Sequence, residues 1–248
     1  MAIISIVNQK GGTGKTTTSL NLGSALAKQG KRILLIDMDS QGNLGYSLGL
    51  EEGPTISDVF EGKKDIEEVI QRREDMDIVP SDIRLVDIEL SLIDLPDRHD
   101  TLNAQISGIA KRYDYTLIDC PPSLSILAVN SLYASEKVVI PMLMEVLSLQ
   151  GLDQIIQTID KINKTYKKKL EITGILPVMV DKRRKLSEEV KDYINENYDV
   201  RIFDSFIRNN VKASEAPSFG QSVVSYSPQS NSAKDYIAFA DEIVKLNK

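Results

Sequence analysis

Two lysines, three glycines and three threonines crowd into Gln9-Lys10-Gly11-Gly12-Thr13-Gly14-Lys15-Thr16-Thr17, and that mixture suits a polyphosphate. Successive backbone N–H groups can converge on an anion, and a helix starting here adds the positive end of its dipole. Gly11, Gly12 and Gly14 permit close backbone approach and angles that a Cβ would forbid. Lys15 is placed to reach β- and γ-phosphates, and the Thr16 hydroxyl can ligate Mg²⁺. The ending Gly14-Lys15-Thr16 is that of a phosphate loop, so Gly11, Gly12, Thr13, Gly14, Lys15, Thr16 and Thr17 are the expected nucleotide contacts. One departure stands out. Where the usual pattern places its first glycine the chain has Gln9, and Lys10 directly precedes the glycine pair.

Carboxylates supply the second half of the chemistry. Asp37 and Asp39 close the run LLIDMDSQGN, and Asp119 closes YTLID before Cys120-Pro121-Pro122. A carboxylate at the carboxyl end of a parallel strand faces the ligand crevice. Asp37 can support the loop, join the Mg²⁺ shell or cap a turn. Cys120 is the only cysteine and His99 the only histidine. That removes intramolecular disulfides, most zinc sites and histidine triads with spare parts, and fits a reducing cytosol. Cys120 reads as a small buried side chain.

The elements that must hold these groups are legible as alternating runs. Ala2–Val7 and Arg32–Asp37 are short apolar strands around a helical stretch, Thr16–Gln29, with Gly30 where a C-cap glycine belongs. Strand, loop, helix and strand within about forty residues make a βαβ unit and a parallel sheet. Met76–Pro80, Tyr115–Asp119, Lys137–Met142 and Leu170–Val180 predict further strands. Helices are predicted over Ile83–Leu95, Thr101–Arg112, Ser125–Ala134, Leu149–Tyr166, Leu186–Tyr198 and Ser232–Leu246. With no linker, repeat or low-complexity tract, residues 1–248 read as a single α/β domain. Its expected core is a doubly wound, mostly parallel sheet flanked by helices, the P-loop NTPase fold.

KGGTGKTT, from Lys10 to Thr17, resembles the deviant Walker A signature of the ParA/Soj/MinD ATPases, closest to the short Soj-like ParA partitioning proteins. The resemblance implies an ATP- and Mg²⁺-dependent hydrolase that forms a homodimer on binding ATP. It gives Lys10 the role of crossing that dimer to the partner's phosphates, as an arginine finger does. It gives Asp39 the attacking water, and Asp119 a place in the Mg²⁺ site with Thr16. The segment IRNNVKASEAPS, Ile207–Ser218, is similar to one found near the base in the chromosome-partitioning branch. It implies Pro217 and the backbone around Met179–Asp181 near adenine. The likeness runs from about residue 2 to residue 245 and further implies nonspecific DNA binding and a ParB-like partner that stimulates hydrolysis. Arg183 is the basic residue mapped first, with Arg184, Lys185, Arg208 and Lys212 beside it; Asn209 stands where some relatives have an arginine.

Charge bears on that expectation. The formal net charge is −6, yet residues 161–185 hold nine basic residues against Glu171 and Asp181, a local +7 that leaves −13 elsewhere. Such a segment is either a DNA contact through phosphates or a solvated helix end. A membrane-cycling or other cargo-positioning ATPase is the alternative. It needs a basic amphipathic tail, whereas AKDYIAFADEIVKLNK carries Asp235, Asp241 and Glu242 on its polar face. That segment reads as a core-packed last helix, so no stable membrane association is expected. With no secretory leader and a first strand from residue 2, a cytoplasmic, nucleoid-associated protein without an N-terminal helix-turn-helix is the expectation.

Overall fold

β-branched and leucine-rich runs form the central strands because each is buried on both faces. The computed structural model describes residues 1–181 and 186–247. Within them one sheet comprises β1 (Ala2–Ile6), β2 (Ile33–Asp37), β3 (Gln71–Arg73), β4 (Met76–Val79), β5 (Tyr115–Asp119), β6 (Lys137–Met142) and β7 (Glu171–Pro177). The strand order is β3-β4-β2-β5-β1-β6-β7. Only β3, paired with β4, is antiparallel; the other pairings are parallel. This is the doubly wound α/β architecture expected from the sequence.

Alternation along the strands divides the core into two layers. Ile3, Leu34, Ile36, Ile118, Val138 and Ile140 point to one face, where the helices Leu85–Leu92, Ile126–Ala134 and Leu147–Tyr166 cover them. Ile4, Ile6, Leu35, Leu117 and Val139 point to the other, beneath Lys15–Lys28 and Asn231–Leu246. Burying each of these side chains contributes roughly 1.5–3 kcal/mol before chain entropy is counted. Gly23 is needed in the Lys15–Lys28 helix, since a Cβ there would stand 2.9 Å from Leu35 Cδ2 and 3.0 Å from the Met76 sulfur. The last helix is a core element, with Tyr236, Phe239, Ala240 and Ile243 buried. Among the described residues no helix is long and apolar enough to cross a membrane.

Several boundaries differ from the sequence reading. Thr101–Arg112 is not one helix but Thr101–Ile106 followed by a 3₁₀ turn, Ile109–Arg112, the break falling at Ser107-Gly108. The last strand stops at Pro177, and Met179 then takes a left-handed φ of 52°. β3 has no counterpart in the sequence reading. Gln71-Arg72-Arg73 carries no apolar signal, and its two-residue turn, Glu74-Asp75, has both φ values positive without a glycine. What holds that turn is tertiary: the Glu74 carboxylate accepts bonds from the Ser24 hydroxyl (2.8 Å), the Ser222 N–H (2.9 Å) and the Ser222 hydroxyl (2.6 Å).

Candidate functional site

The site lies at the carboxyl edge of the parallel strands. Register makes this so: Asp119 of β5 is the partner of both Ile6 of β1 and Asp37 of β2. The chain therefore leaves β1 for the phosphate loop beside two strand-end aspartates. A cleft of about 500 Å³ opens there, lined by Gly11, Gly12, Thr13, Gly14, Lys15, Thr16, Thr17, Asp39, Gln41, Asn43, Tyr46, Ser47, Pro122 and Pro217. All seven loop residues expected to contact nucleotide line it, as does Pro217. Met179–Asp181 are not among its lining residues.

The loop is shaped by its glycines and tied at its base. Gly12 and Gly14 both have φ of 73°, whereas Gly11 does not take a positive φ. At all three a Cβ would meet nothing within 4 Å, so that side of the loop is an open cradle. The Asn8 side chain donates to the Pro141 carbonyl (2.7 Å) and accepts from the Lys10 N–H (3.0 Å), fastening the loop to β6. The Thr13 hydroxyl closes it by donating to the Lys10 carbonyl (3.1 Å). Gly14, left-handed, then starts the Lys15–Lys28 helix without a side-chain cap. Its first N–H groups are thus left for an anion.

The two lysines part company. Lys15 is buried at 7 % exposure, and burial lowers its pKa against the opposing pull of Asp119, Cys120 and Asp39. A partly desolvated ammonium with carboxylates around it is primed for phosphate oxygens. Lys10 does not line the cleft. Its Nζ lies at the surface, 3.5 Å from Glu145 Oε2.

The aspartates also take different tasks. Asp37 is fully buried and accepts from the N–H groups of Asp39 (3.0 Å) and Leu44 (3.2 Å), which makes it the support of the loop. Burial, with Asp119 adjacent, pushes its carboxyl well above the usual range. Asp39 lines the cleft, accepts from the Gln41 N–H (3.1 Å) and is held through its carbonyl by the Ser81 hydroxyl (2.5 Å). Asp119 Oδ1 accepts from Ser19 (3.0 Å), while its buried Oδ2 has no partner among the described residues. Burial raises the Asp119 pKa to about 6, with the hydroxyls of Thr16 and Ser19 and then Lys15 pulling it down. A buried carboxylate oxygen left over beside a threonine hydroxyl fits a hydrated Mg²⁺, which takes few protein ligands. Among the described residues no cluster of three His, Cys, Asp or Glu forms a metal cage. Cys120 is buried, as expected, and burial pushes its thiol up to about 12.

Outside the cleft the basic residues divide. Arg208 is clamped to Asp235 through Nε (2.9 Å to Oδ2) and Nη2 (2.5 Å to Oδ1), while its N–H also donates to Asp235 (3.0 Å). Its guanidinium is thus engaged in fastening this segment to the last helix. Lys212 pairs with Glu215 at 2.7 Å on the surface. Arg183, Arg184 and Lys185 lie outside the described residues. Lys161, Lys164 and Lys167–Lys169 belong to the end of the Leu147–Tyr166 helix and the turn into β7, at the amino edge of the sheet. Lys168 Nζ sits 4.5 Å from the Tyr133 ring centroid. The nucleotide cleft and the exit toward residue 181 are at the opposite edge. Lys167–Lys169 and the exit at Asp181 are therefore parted by the length of β7, about 20 Å.

Sequence reasoning did not find Gln41, Asn43, Tyr46, Ser47 and Pro122 as cleft residues. Asn43, Tyr46 and Ser47 belong to a five-residue helix, Asn43–Ser47, and Gln41 and Pro122 to the turns after β2 and β5, all too short for a periodic pattern to be read.

Strand order, phosphate loop and strand-end carboxylates together define a P-loop nucleoside-triphosphatase. A family described as an AAA domain, AAA_31, matches residues 1–172. The sporulation initiation inhibitor protein Soj of Bacillus subtilis is 39 % identical over 97 % of this chain and 97 % of its own length. The chromosome partitioning protein ParA of Caulobacter vibrioides is 37 % identical over 100 % of this chain and 96 % of its own. Among solved structures, cobyrinic acid a,c-diamide synthase of Mycobacterium smegmatis, with a bound ATP analogue and magnesium, superposes with a TM-score of 0.87. It is 29 % identical, over 99 % of this chain and 95 % of its own. The septum site-determining protein MinD of Pyrococcus horikoshii, complexed with Mg-ADP, gives 0.83 at 29 % identity, over 99 % and 97 %. The chain belongs to the ParA/Soj/MinD family of P-loop ATPases.

Proposed function

We propose that this ATPase, one domain over residues 1–248, is a DNA-segregation enzyme that works as an ATP-bound homodimer. The observation that carries the reading is the disposition of the two lysines. Lys15 is buried in its own cleft, while Lys10 stands at the rim, exposed and paired to Glu145. A cation so placed can exchange Glu145 for the phosphates of a second subunit's nucleotide, and hydrolysis then depends on dimerisation.

In this reading the loop N–H groups from Gly11 to Thr17 and Lys15 hold the phosphates, and Pro217 borders the base. Thr16 and Asp119 hold Mg²⁺ with its waters, and the ion supplies charge neutralisation at the transferred phosphoryl group. Asp39, fixed by Ser81 and by the Asp37-supported loop, orients the attacking water and takes its proton. Dimerisation aligns two sets of basic residues on one duplex, so DNA affinity depends on nucleotide without base readout. Arg183, Arg184, Lys185 and Lys212 are the proposed phosphate contacts. Arg208 enters as a contact only through the face not engaged by Asp235. A ParB-like protein bound to a centromere-like site accelerates hydrolysis and releases the dimer from the nucleoid.

The test is DNA retention by Asp39→Ala protein in ATP and in ADP at two salt concentrations, with ATP hydrolysis by the Lys10→Ala protein measured alongside. ATP-dependent retention that weakens with salt, together with loss of hydrolysis in Lys10→Ala, is expected. Equal weak retention in both nucleotides overturns the DNA reading, and full hydrolysis by Lys10→Ala overturns the dimer reading.

A further inference from the structure

The Leu85–Leu92 helix is apolar on two opposite faces. Leu85, Ile88 and Leu92 are buried against the sheet layer. On the other side Ile83, Val86, Leu90 and Ile93 are 65 %, 44 %, 62 % and 51 % exposed. Val86 and Leu90, four residues apart, share one side of the helix; Ile93, its C-cap residue with helical backbone angles, extends that side, and Ile83 stands in the turn before it. Helices apolar all round are ordinarily covered on every side, and an exposed contiguous stripe marks an interaction surface.

Charge identifies the occupant. At helical spacing Asp87 and Asp94 fall along one border of the stripe and Glu89 along the other. Beyond Ile93 the surface runs into a cleft of about 320 Å³ lined by Leu95, Pro96, Asp97, Asp100, Thr101 and Ala104. Of the arginines in this stretch, Arg84 is taken up by carboxylates, while Arg98 keeps its charge and is outnumbered by Asp94, Asp97 and Asp100. Arg84 bonds Asp58, Asp82 and Glu61, and Arg98 donates to the Ile93 carbonyl. The stripe is therefore apolar at its centre, acidic at both borders and acidic at its far end. A second copy of this chain would bring like charges opposite one another, and an anionic lipid surface would be repelled.

We infer that this stripe docks a basic amphipathic segment of a partner protein, whose apolar face covers Val86, Leu90 and Ile93 and whose lysines or arginines meet Asp87, Glu89, Asp94 and the Asp97–Asp100 cleft. This is helix-on-helix recognition read by anchors at i, i+4 and i+7. The surface is built from residues that do not line the nucleotide cleft, so docking does not depend on the ATPase reading.

A fluorescein-labelled amphipathic peptide of about three heptads, leucines on one face and lysines on the other, serves as the probe. Its anisotropy is followed on adding the full chain at about 0.15 M salt. Leu90→Glu, Ile93→Glu and Asp94→Lys are each expected to weaken binding about tenfold or more without lowering Tm. Leu147→Glu, which alters an exposed apolar residue on a different helix, is expected to leave it unchanged. The same peptide with glutamates for lysines should not bind. Affinity unchanged by Leu90→Glu, or equal binding of the glutamate peptide, overturns the inference. So does co-sedimentation with phosphatidylserine vesicles that Leu90→Glu abolishes, or a nucleotide-independent dimer that Leu90→Glu dissociates.

Discussion

The two aspartates at the end of β2 are separated by a single residue, yet they do unlike things, and substitution should separate them. Asp37 carries the N–H groups of Asp39 and Leu44 on its two oxygens. Asp37→Ala orphans both, at roughly 1–3 kcal/mol each, partly offset because an ionised carboxyl is costly in that position. Its Tm should fall by several degrees, and hydrolysis should fail with it because the loop loses its support. Asp39→Ala breaks one loop bond only, so calorimetry should find Tm nearly unchanged. ATP binding should persist while turnover drops about 10²-fold or more. Gly12→Ala is a different case. Its φ of 73° costs an alanine ~1–2 kcal/mol, and the Cβ enters the open cradle, so a folded protein with much weakened nucleotide binding is expected by titration calorimetry. Lys15 and Thr16 were legible as cleft residues because a cation and a hydroxyl follow a glycine-rich loop, and Asp119 because it closes an apolar strand. Ser19 and Ser81 were not, because their work depends on which loop folds against which.

At the scale of elements, the short Ile56–Phe60 helix is tied to the exit of β4 by a polar knot in which Arg84 is the cation and Asp82 also accepts from Thr55 and Ser57. Arg84 bonds Asp58 Oδ1 and Oδ2 at 2.9 and 2.7 Å, Asp82 Oδ2 at 2.7 Å and Glu61 at 3.0 Å. The Arg84 guanidinium holds the Asp58 carboxyl at about 2, below its ordinary 3.8. A carboxyl depressed in the fold stabilises it while ionised, so that contribution stands above about pH 4 and drains as pH falls toward 2. Asp114, held at about 2 by Arg32, behaves alike. Arg84→Met should therefore flatten the acid limb of the stability curve. At neutral pH it should cost about 1–2 kcal/mol, allowing for the screening of half-exposed charges. Urea midpoints between pH 2 and pH 7 would show both. Nothing in the sequence announces this knot, since Arg84 and Asp58 are 26 residues apart. The same holds for β3, whose turn is stabilised by Ser24 and Ser222 rather than by a local glycine. The central strands were readable because burial on both faces demands an apolar run. Elements held by polar ties leave no such trace.

For the whole molecule, topology changes the meaning of charge. Residues 161–185 form one basic block in the chain, but β7 runs through it, with Lys161–Lys169 before the strand and residues 182–185 after it in sequence. Lys167–Lys169 stand at the amino edge, where Lys167 closes the helix in a left-handed conformation and Lys168 lies over Tyr133. Asp181 leaves from the carboxyl edge, on the side of the nucleotide cleft, and leads into Lys182, Arg183, Arg184 and Lys185. A duplex gripped by an ATP dimer should feel the second group and not the first. In an Asp39→Ala background with ATP, replacing Lys167, Lys168 and Lys169 by glutamine should leave DNA affinity and its salt slope as they were. Replacing residues 182–185 in the same way should weaken binding and flatten the slope by about 0.9 for each phosphate no longer neutralised. Fluorescence anisotropy over a salt series measures both quantities on one duplex. Arg208→Ala should differ from either, losing stability as well as affinity, because Asp235 is left a buried acid without its cation. A loss of slope in the Lys167–Lys169 variant equal to that of the 182–185 variant would mean that the duplex follows the amino edge, and would part DNA binding from the nucleotide face.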